Sequence, residues 1–408
     1  RHVQHTRIQP GLFSVGSTRG TSSHVHNPFA VVSRGSQEPR ETDGDVFGFA
    51  LVYSGNHIIE AEGNEVGRVR LNMGIHPLGF CWSLTPGTEF QTPECIMVYS
   101  SKGLGGMSRI FHHLFLDHLM PKTWTVQPQP VLLNSWEAQY FNVSHDSIVE
   151  MAIEAKKLGI EMVVLDDGWF GKRNDANSSL GDWFPNREKF PFGIRGCANS
   201  IESLGMKMGL WFEPEMVSTD SELYRTHPDW CLHVPGRPSQ RGRNQLVLDM
   251  GRKDVRSYLL KKISKILESA TISYVKWDMN RYLTEVFSLQ LPAKNQGEAS
   301  HRFMMGTYEL LHDIVKMFPT LLLETCSGGG GRFDPGMLFY SPQIWTSDNT
   351  DAMNRVSIQY GTSLLYPARS MGSHYSMSPN HITMRQCRSR TRAFVAMCGT
   401  FGFELNLH

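Results

Sequence analysis

The sequence predicts an α/β protein: a (β/α)8 TIM-type barrel over residues 121–408, preceded by a β-rich N-terminal domain over residues 1–120. Three observations point there. From Val131 onward, short apolar runs alternate with amphipathic helical stretches, the pattern of parallel strands joined by crossover helices. Nearly every run ends in acid, at Glu137, Asp166-Asp167, Glu213, Asp249, Asp278, Glu324 and Asp348. A barrel gathers the carboxyl ends of all its strands on one face, where such groups can meet. Finally, 408 residues suffice for one large domain and an accessory one. A doubly wound open sheet would produce the same alternation and is the competing architecture.

The elements follow in order. Up to about Pro121 the chain is rich in Gly, Ser, Asn and His, with apolar pieces such as "DVFGFALVYSG" and "CIMVYSSKG" that read as short strands between turns. "PKTWTVQPQP" reads as a linker. The barrel strands are expected in "PVLLNSW", "EMVVLDDGW", "KMGLWFEPE", "NQLVLDMG", "SYVKWDMN", "TLLLETCSGG" and "QIWTSDN", with the tail "FVAMCGTFGFELNL" as the eighth. Helices are expected in "HDSIVEMAIEAKKLG" and "GRKDVRSYLLKKISKILES". The first has Ser144 or Asp146 where an N-cap would stand and Gly159 where a helix would stop.

The formal net charge of +1 argues against a nucleic-acid or anionic-membrane partner, and no run approaches the ~20 apolar residues of a membrane span. Seven scattered cysteines include no CxxC pair, so neither a zinc ribbon nor a dithiol site is signalled. Asn142 and Asn177 open glycosylation sequons, a pattern common by chance. No signal-type segment stands at the beginning of the sequence, and secreted and cytoplasmic locations both stay open.

"SYVKWDMNRY" carries the sharpest local pattern. On an extended chain Lys276, Asp278 and Asn280 share one face, while Val275, Trp277 and Met279 fill the other. Acids at strand ends with Trp136, Trp169, Trp211, Trp277 and Trp345 nearby would suit a sugar, whose hydroxyls bond carboxylates and whose C–H face lies on an indole. The plainer alternative is that the acids cap helices and the tryptophans fill the core. Glycoside hydrolysis needs two carboxyls, and Asp278 with Asp348 is the pair singled out. Lys276 beside Asp278 should hold it ionised, whereas Ile344 and Trp345 beside Asp348 should desolvate it and keep its proton. The glycines Gly328–Gly331 lack the Lys-Ser/Thr of a P-loop and read as a tight turn leaving Cys326 at the site mouth. Cys326 has no local histidine to make it a nucleophile. His24-Val25-His26 has metal-ligand spacing but lies in the β-rich region, and His112, His113 and His118 read as a solvated helix face. No metal or cofactor is expected.

Five motifs, "KWDMNR", "VVLDDGWFG", "LWFEPEM", "ETCSGGGGRFD" and "IWTSDNTDA", together resemble the family 36 glycoside hydrolases, the retaining α-galactosidases. The resemblance runs from "STRGTSSHVHNPF" to "GTFGFEL". It implies that Asp278 is the nucleophile and Asp348 the acid/base. It also implies that Asp166 and Asp167 hold the axial 4-hydroxyl and the 6-hydroxyl of galactose. Lys276, Asn280, Arg243, Cys326 and Gly328 would bind hydroxyls beside the nucleophile, Trp211 and Trp136 would wall the pocket, and Trp277 is counted with them among the substrate-binding residues. The implied substrate is a small oligosaccharide of the melibiose or raffinose type, and the implied assembly a homo-oligomer, a tetramer in the family. Family members carry a longer N-terminal β-sandwich, of which only the later part is expected here, and a small C-terminal β-domain. A galactosyl-transferring relative, a catalytically impaired sugar-binding remnant and a metal-dependent hydrolase are the alternatives.

Overall fold

The structure, a computed structural model, describes residues 2–35 and 38–407. Its eight parallel strands are Leu132–Asn134, Met162–Leu165, Lys207–Phe212, Tyr274–Trp277, Leu322–Thr325, Gln343–Trp345, Met371–Ser376 and Thr400–Glu404. They neighbour one another in chain order, and pairing of Gly402 with Leu132 closes the ring. The sheet is therefore a closed barrel, not the open alternative.

One expected strand is not in it. Gln245–Val247 of "NQLVLDMG" pairs antiparallel with Met216–Ser218 as a separate ribbon after the third barrel strand. Asp249 consequently leaves the ring of strand-end acids and accepts a hydrogen bond from Ser288 instead. The true seventh strand is "MGSHYS", which has few apolar residues because its inward positions are Gly372, His374 and Ser376.

The barrel interior is layered. At the amino ends of the strands Leu132, Met162, Val164, Tyr274 and Leu322 pack together, and Trp124 from the short helix Lys122–Val126 plugs them from below. Gly209 makes room for the Tyr274 ring, since a Cβ there would meet Tyr274 Cδ1 at 2.7 Å. Two residues further along each strand the interior becomes polar, with Asn134, Asp166, Lys276, Glu324 and His374. Two further still lie Asp278 and Cys326. This period of two carries the site upward from an apolar floor.

Outside the barrel the helices bury single stripes. His145–Lys157 buries Ile148, Met151, Ala152 and Ala155. Ser144 and Ser147 close its capping box, and Gly159 follows its end at φ +77°. Lys253–Ser269 buries Val255, Leu259, Ile263, Ile266 and Leu267 in the same way.

The N-terminal region holds two three-stranded antiparallel sheets, with Val46–Val52 central in one and His57–Gly63 in the other. It is not wholly β, because Gly103–Leu114 is a helix that packs on Val46–Val52 and Glu94–Ser100. On that helix His113 is exposed, but His112 is half-buried and bonded to the Ser363 carbonyl oxygen at 2.8 Å, so the three histidines do not form one solvated face. The loop after Ser17 leaves the sheets for the barrel mouth. There Ser23 N–H donates to the Gly331 carbonyl at 2.7 Å and Ser22 Oγ to Asp334 at 2.6 Å.

Candidate active site

Asp278 stands one residue beyond its strand, and both carboxylate oxygens are occupied. Oδ1 accepts from the backbone N–H groups of Met279 (2.8 Å) and Gly328 (2.9 Å). Oδ2 accepts from Asn280 Nδ2 (2.7 Å) and Trp211 Nε1 (3.2 Å). Burial alone would push this carboxyl up. The Lys276 ammonium and the hydrogen bonds from Gly328, Asn280 and Met279 outweigh it and hold Asp278 below the usual carboxylate range. Lys276 is itself buried and donates to Asp166 Oδ2 at 2.8 Å. Burial would lower its pKa, but the carboxylate charges around it, Asp166 foremost, keep the ammonium well above its ordinary value.

Asp348 answers to different forces. Asp348 is exposed on the wall of the cleft, yet protein atoms crowd around its carboxyl, and the desolvation they impose, reinforced by the charge of Asp278, raises it to about 6. Trp345 Nε1 donates to its Oδ1 at 3.0 Å. Consecutive glycines tie the two aspartates together. Gly328 (φ +62°) gives its N–H to Asp278, while a Cβ on Gly329 (φ +81°) would fall 2.1 Å from Asp348 N and 3.0 Å from its Cγ. Only glycine tolerates both the backbone and the approach. Cys326 lies beneath this turn, buried rather than at the mouth, with its thiol 3.8 Å from Asp348 Oδ1. Burial and the neighbouring carboxylates push that thiol well up, which keeps it protonated and unsuited to nucleophilic attack.

Asp166 faces the same interior and accepts from Asn134 Nδ2 (2.7 Å) and Lys276. Asp167 is clamped by Arg173 in a buried ion pair at 2.9 Å; burial raises its carboxyl against that cation. Arg243 and Asn244 form the apex of a two-residue turn closed by Gly242 and Gln245. Both have positive φ, 51° and 63°, and Arg243 Nη1 donates to Asn280 Oδ1 at 2.8 Å. Asparagine takes this conformation readily, but Arg243 does so at a local cost of the kind found at ligand clamps.

The tryptophans divide. Trp211 contacts Asp278, and Trp136 is half-buried against Tyr140 and Phe141. Trp277 does not join the pocket. It is fully buried on the outward face of its strand and donates Nε1 to Glu215 at 2.8 Å, beside the buried Glu215–Arg332 ion pair. Trp169 is likewise fully buried, its Nε1 on the Trp211 carbonyl.

Two participants have roles that the sequence does not assign them. His24 bridges Tyr282 Oη (2.5 Å) and the Gly328 carbonyl (2.7 Å), so the loop from the N-terminal sheets braces the glycine turn. Glu213 accepts from Gln245 Nε2 at 2.6 Å and from the Asn280 N–H; burial and the Asp278 charge lift it to about 7. "HVH" and "FEPE" were visible, but nothing local gave their partners. A cavity of about 160 Å³ opens over these groups, lined by Thr21, His24, Arg243, Asn280, Tyr282 and Asp348. Among the described residues no group of three or more His, Cys, Asp or Glu could hold a metal ion.

Comparison with known proteins agrees with this architecture. Residues 89–408 match the family model Melibiase, and residues 1–85 match that of the glycosyl hydrolase family 36 N-terminal domain. Alpha-galactosidase AgaA of Geobacillus stearothermophilus is 52% identical over 408 residues, covering 100% of this chain and 56% of that protein. Alpha-galactosidase Mel36A of Lactobacillus acidophilus is 50% identical over 407 residues, covering 100% and 55%. The chain thus spans about half the length of the curated relatives it matches. The AgaA crystal structure superposes with a TM-score of 0.98 over 100% of this chain and 56% of that one. AgaA variants in complex with raffinose and with stachyose, each 51% identical with the same coverages, also superpose at 0.98.

Proposed function

The chain belongs to glycosyl hydrolase family 36, and from that premise we propose that it is the catalytic part of an exo-acting, retaining α-galactosidase for oligosaccharides of the melibiose and raffinose type. The observation that carries this reading is the contrast between two carboxyls beside one glycine turn, which bonds Asp278 through Gly328 and packs on Asp348 through Gly329: Asp278 is kept ionised, Asp348 kept protonated to about pH 6. Two adjacent glycines spanning both groups favour the short carboxyl separation of a retaining enzyme.

In the first step an Asp278 oxygen bonds to the anomeric carbon as the bond from that carbon to the leaving oxygen breaks. Asp348 gives its proton to that oxygen, and the sugar it belongs to departs. In the second step water bonds to the anomeric carbon, its proton returns to Asp348, and the ester to Asp278 breaks to restore the carboxylate. Lys276 uses one N–H on Asp166 and has others for substrate hydroxyls, with Asn280 and Arg243 beside it. Asp166 and Asp167 take the 4- and 6-hydroxyls, and Trp211, Trp136, Cys326 and Gly328 shape the pocket. The raffinose and stachyose complexes of the relative support this substrate class. Assembly as a homo-oligomer is part of the reading.

The test is hydrolysis of an aryl α-galactoside by the wild type, Asp278→Ala and Asp348→Ala. Azide should rescue the Asp278 variant and yield β-galactosyl azide, because azide then attacks from the vacated carboxylate's side. Retention of wild-type rates by both variants would refute the assignment.

A further inference from the structure

We propose that Arg355 is a positioning residue for proton donation by Asp348, an inference that rests on the acid/base reading of Asp348. Arg355 lies one turn into the helix Ala352–Ser363, which follows the Asp348 loop directly, and it is buried with 3% of its surface exposed. Its guanidinium turns back onto that loop. Nη2 donates to the Ser347 carbonyl at 2.7 Å and Nε to the Asn349 carbonyl at 2.9 Å, the carbonyls on either side of Asp348. Nη1 donates to the Gly372 carbonyl of the seventh strand at 3.1 Å, a carbonyl shared with Thr346 Oγ1 at 3.0 Å. The guanidinium carbon lies over the Trp345 indole, 4.6 Å from the ring centroid, and Trp345 Nε1 is the donor to the Asp348 carboxyl.

One buried cation therefore fixes the loop backbone before and after Asp348 and also the ring that hydrogen-bonds its side chain. The loop has no ladder or helix to satisfy these carbonyls, so a fork of donors must do it. Arginine can reach all three carbonyls while its charge lies over the indole; lysine, with a compact ammonium in place of a fork of donors, cannot. The role differs from general support of the fold because of what Asp348 has to do. Its proton must meet the leaving oxygen, and that need vanishes when the leaving group is acidic enough to depart unaided.

The full-length protein and its Arg355→Lys and Asp348→Ala variants are compared by kcat/KM on raffinose and on 2,4-dinitrophenyl α-galactoside. This constant reports the first displacement for both substrates. The expected result is a loss of about 10²-fold on raffinose for Arg355→Lys, the scale of an ångström-sized misplacement, with the dinitrophenyl substrate within a few-fold of wild type. Should Arg355→Lys fail to fold, Arg355→Gln, which keeps a planar amide donor but cannot serve all three carbonyls, is expected to show the same split. Equal loss on both substrates, or wild-type rates on raffinose, overturns the role of Arg355 when Asp348→Ala does show the split. If Asp348→Ala shows no split, the acid/base assignment falls and this inference with it.

Discussion

Gly329→Ala is the substitution whose consequence the structure specifies most closely. The new Cβ would lie 2.1 Å from Asp348 N, where Cβ contacts below 3.0 Å essentially do not occur. The obstacle is backbone, not a flexible side chain, so Asp348 has to retreat by about 1 Å. Displacement on that scale costs about 10²-fold in rate, or about 2.7 kcal/mol of transition-state stabilisation. The φ of +81° adds a separate conformational cost of about 1–2 kcal/mol to stability. Gly159→Ala separates the two effects. Its φ is +77°, but nothing lies within 4 Å of its Cβ, so it carries the conformational penalty without touching the site. The assay is kcat/KM on raffinose for both variants, with circular dichroism to confirm folding. The expected outcome is a loss of about 10²-fold for Gly329→Ala and near wild-type activity for Gly159→Ala. A folded Gly329→Ala variant with undiminished kcat/KM, or an equal loss in Gly159→Ala, would show that the glycine turn does not place Asp348.

The opposed carboxyls predict a pH profile. Activity on raffinose should fall as pH rises through about 6, because Asp348 has to carry a proton and its raised pKa keeps that proton only below this value; a flat rate to pH 8 contradicts it. Lys276→Met removes the cation that lowers Asp278, so the acid limb of kcat/KM should move to higher pH. It also leaves Asp166 buried without its partner, and unfolding titrations should register a loss of about 3–5 kcal/mol. Trp277→Phe and Trp211→Phe should differ in kind. The first removes one donor from buried Glu215, costing about 1.5–3 kcal/mol of stability with kcat/KM within a few-fold of wild type. The second removes a donor from Asp278 and should lower kcat/KM by tenfold or more; equal catalytic losses would place Trp277 in the pocket after all.

What was legible in the sequence was periodic. Strand alternation put Lys276, Asp278 and Asn280 on one face, and the same phase assigned Trp277 to the other. Counting Trp277 among the substrate-binding residues goes against that phase, and the structure sides with the phase. Apolar runs located seven of the eight barrel strands, and their failure has a single cause. The run in "NQLVLDMG" is apolar because a small buried ribbon needs apolar residues as much as a barrel does. The seventh strand is polar because His374 and Glu404 pair inside the barrel at 3.0 Å. Hydropathy reports burial; it does not say in which sheet.

Long-range polar partners left no such trace. His24 braces Gly328 from a loop in the N-terminal region, and Arg355 reads as an ordinary surface arginine of an amphipathic helix until the carbonyls it serves are seen. These are the groups on which the division of labour depends. Asp278 and Asp348 are the same residue type at similar positions after their strands. Lys276, the Gly328 N–H and Asn280 converge on one, and the other is left to burial and to the first one's charge. The second effect follows from the first: because Asp278 stays ionised, its field helps Asp348 retain a proton. A change that neutralises Asp278 should therefore also lower the pKa of Asp348, so the two limbs of the pH profile report one coupled pair rather than two independent residues.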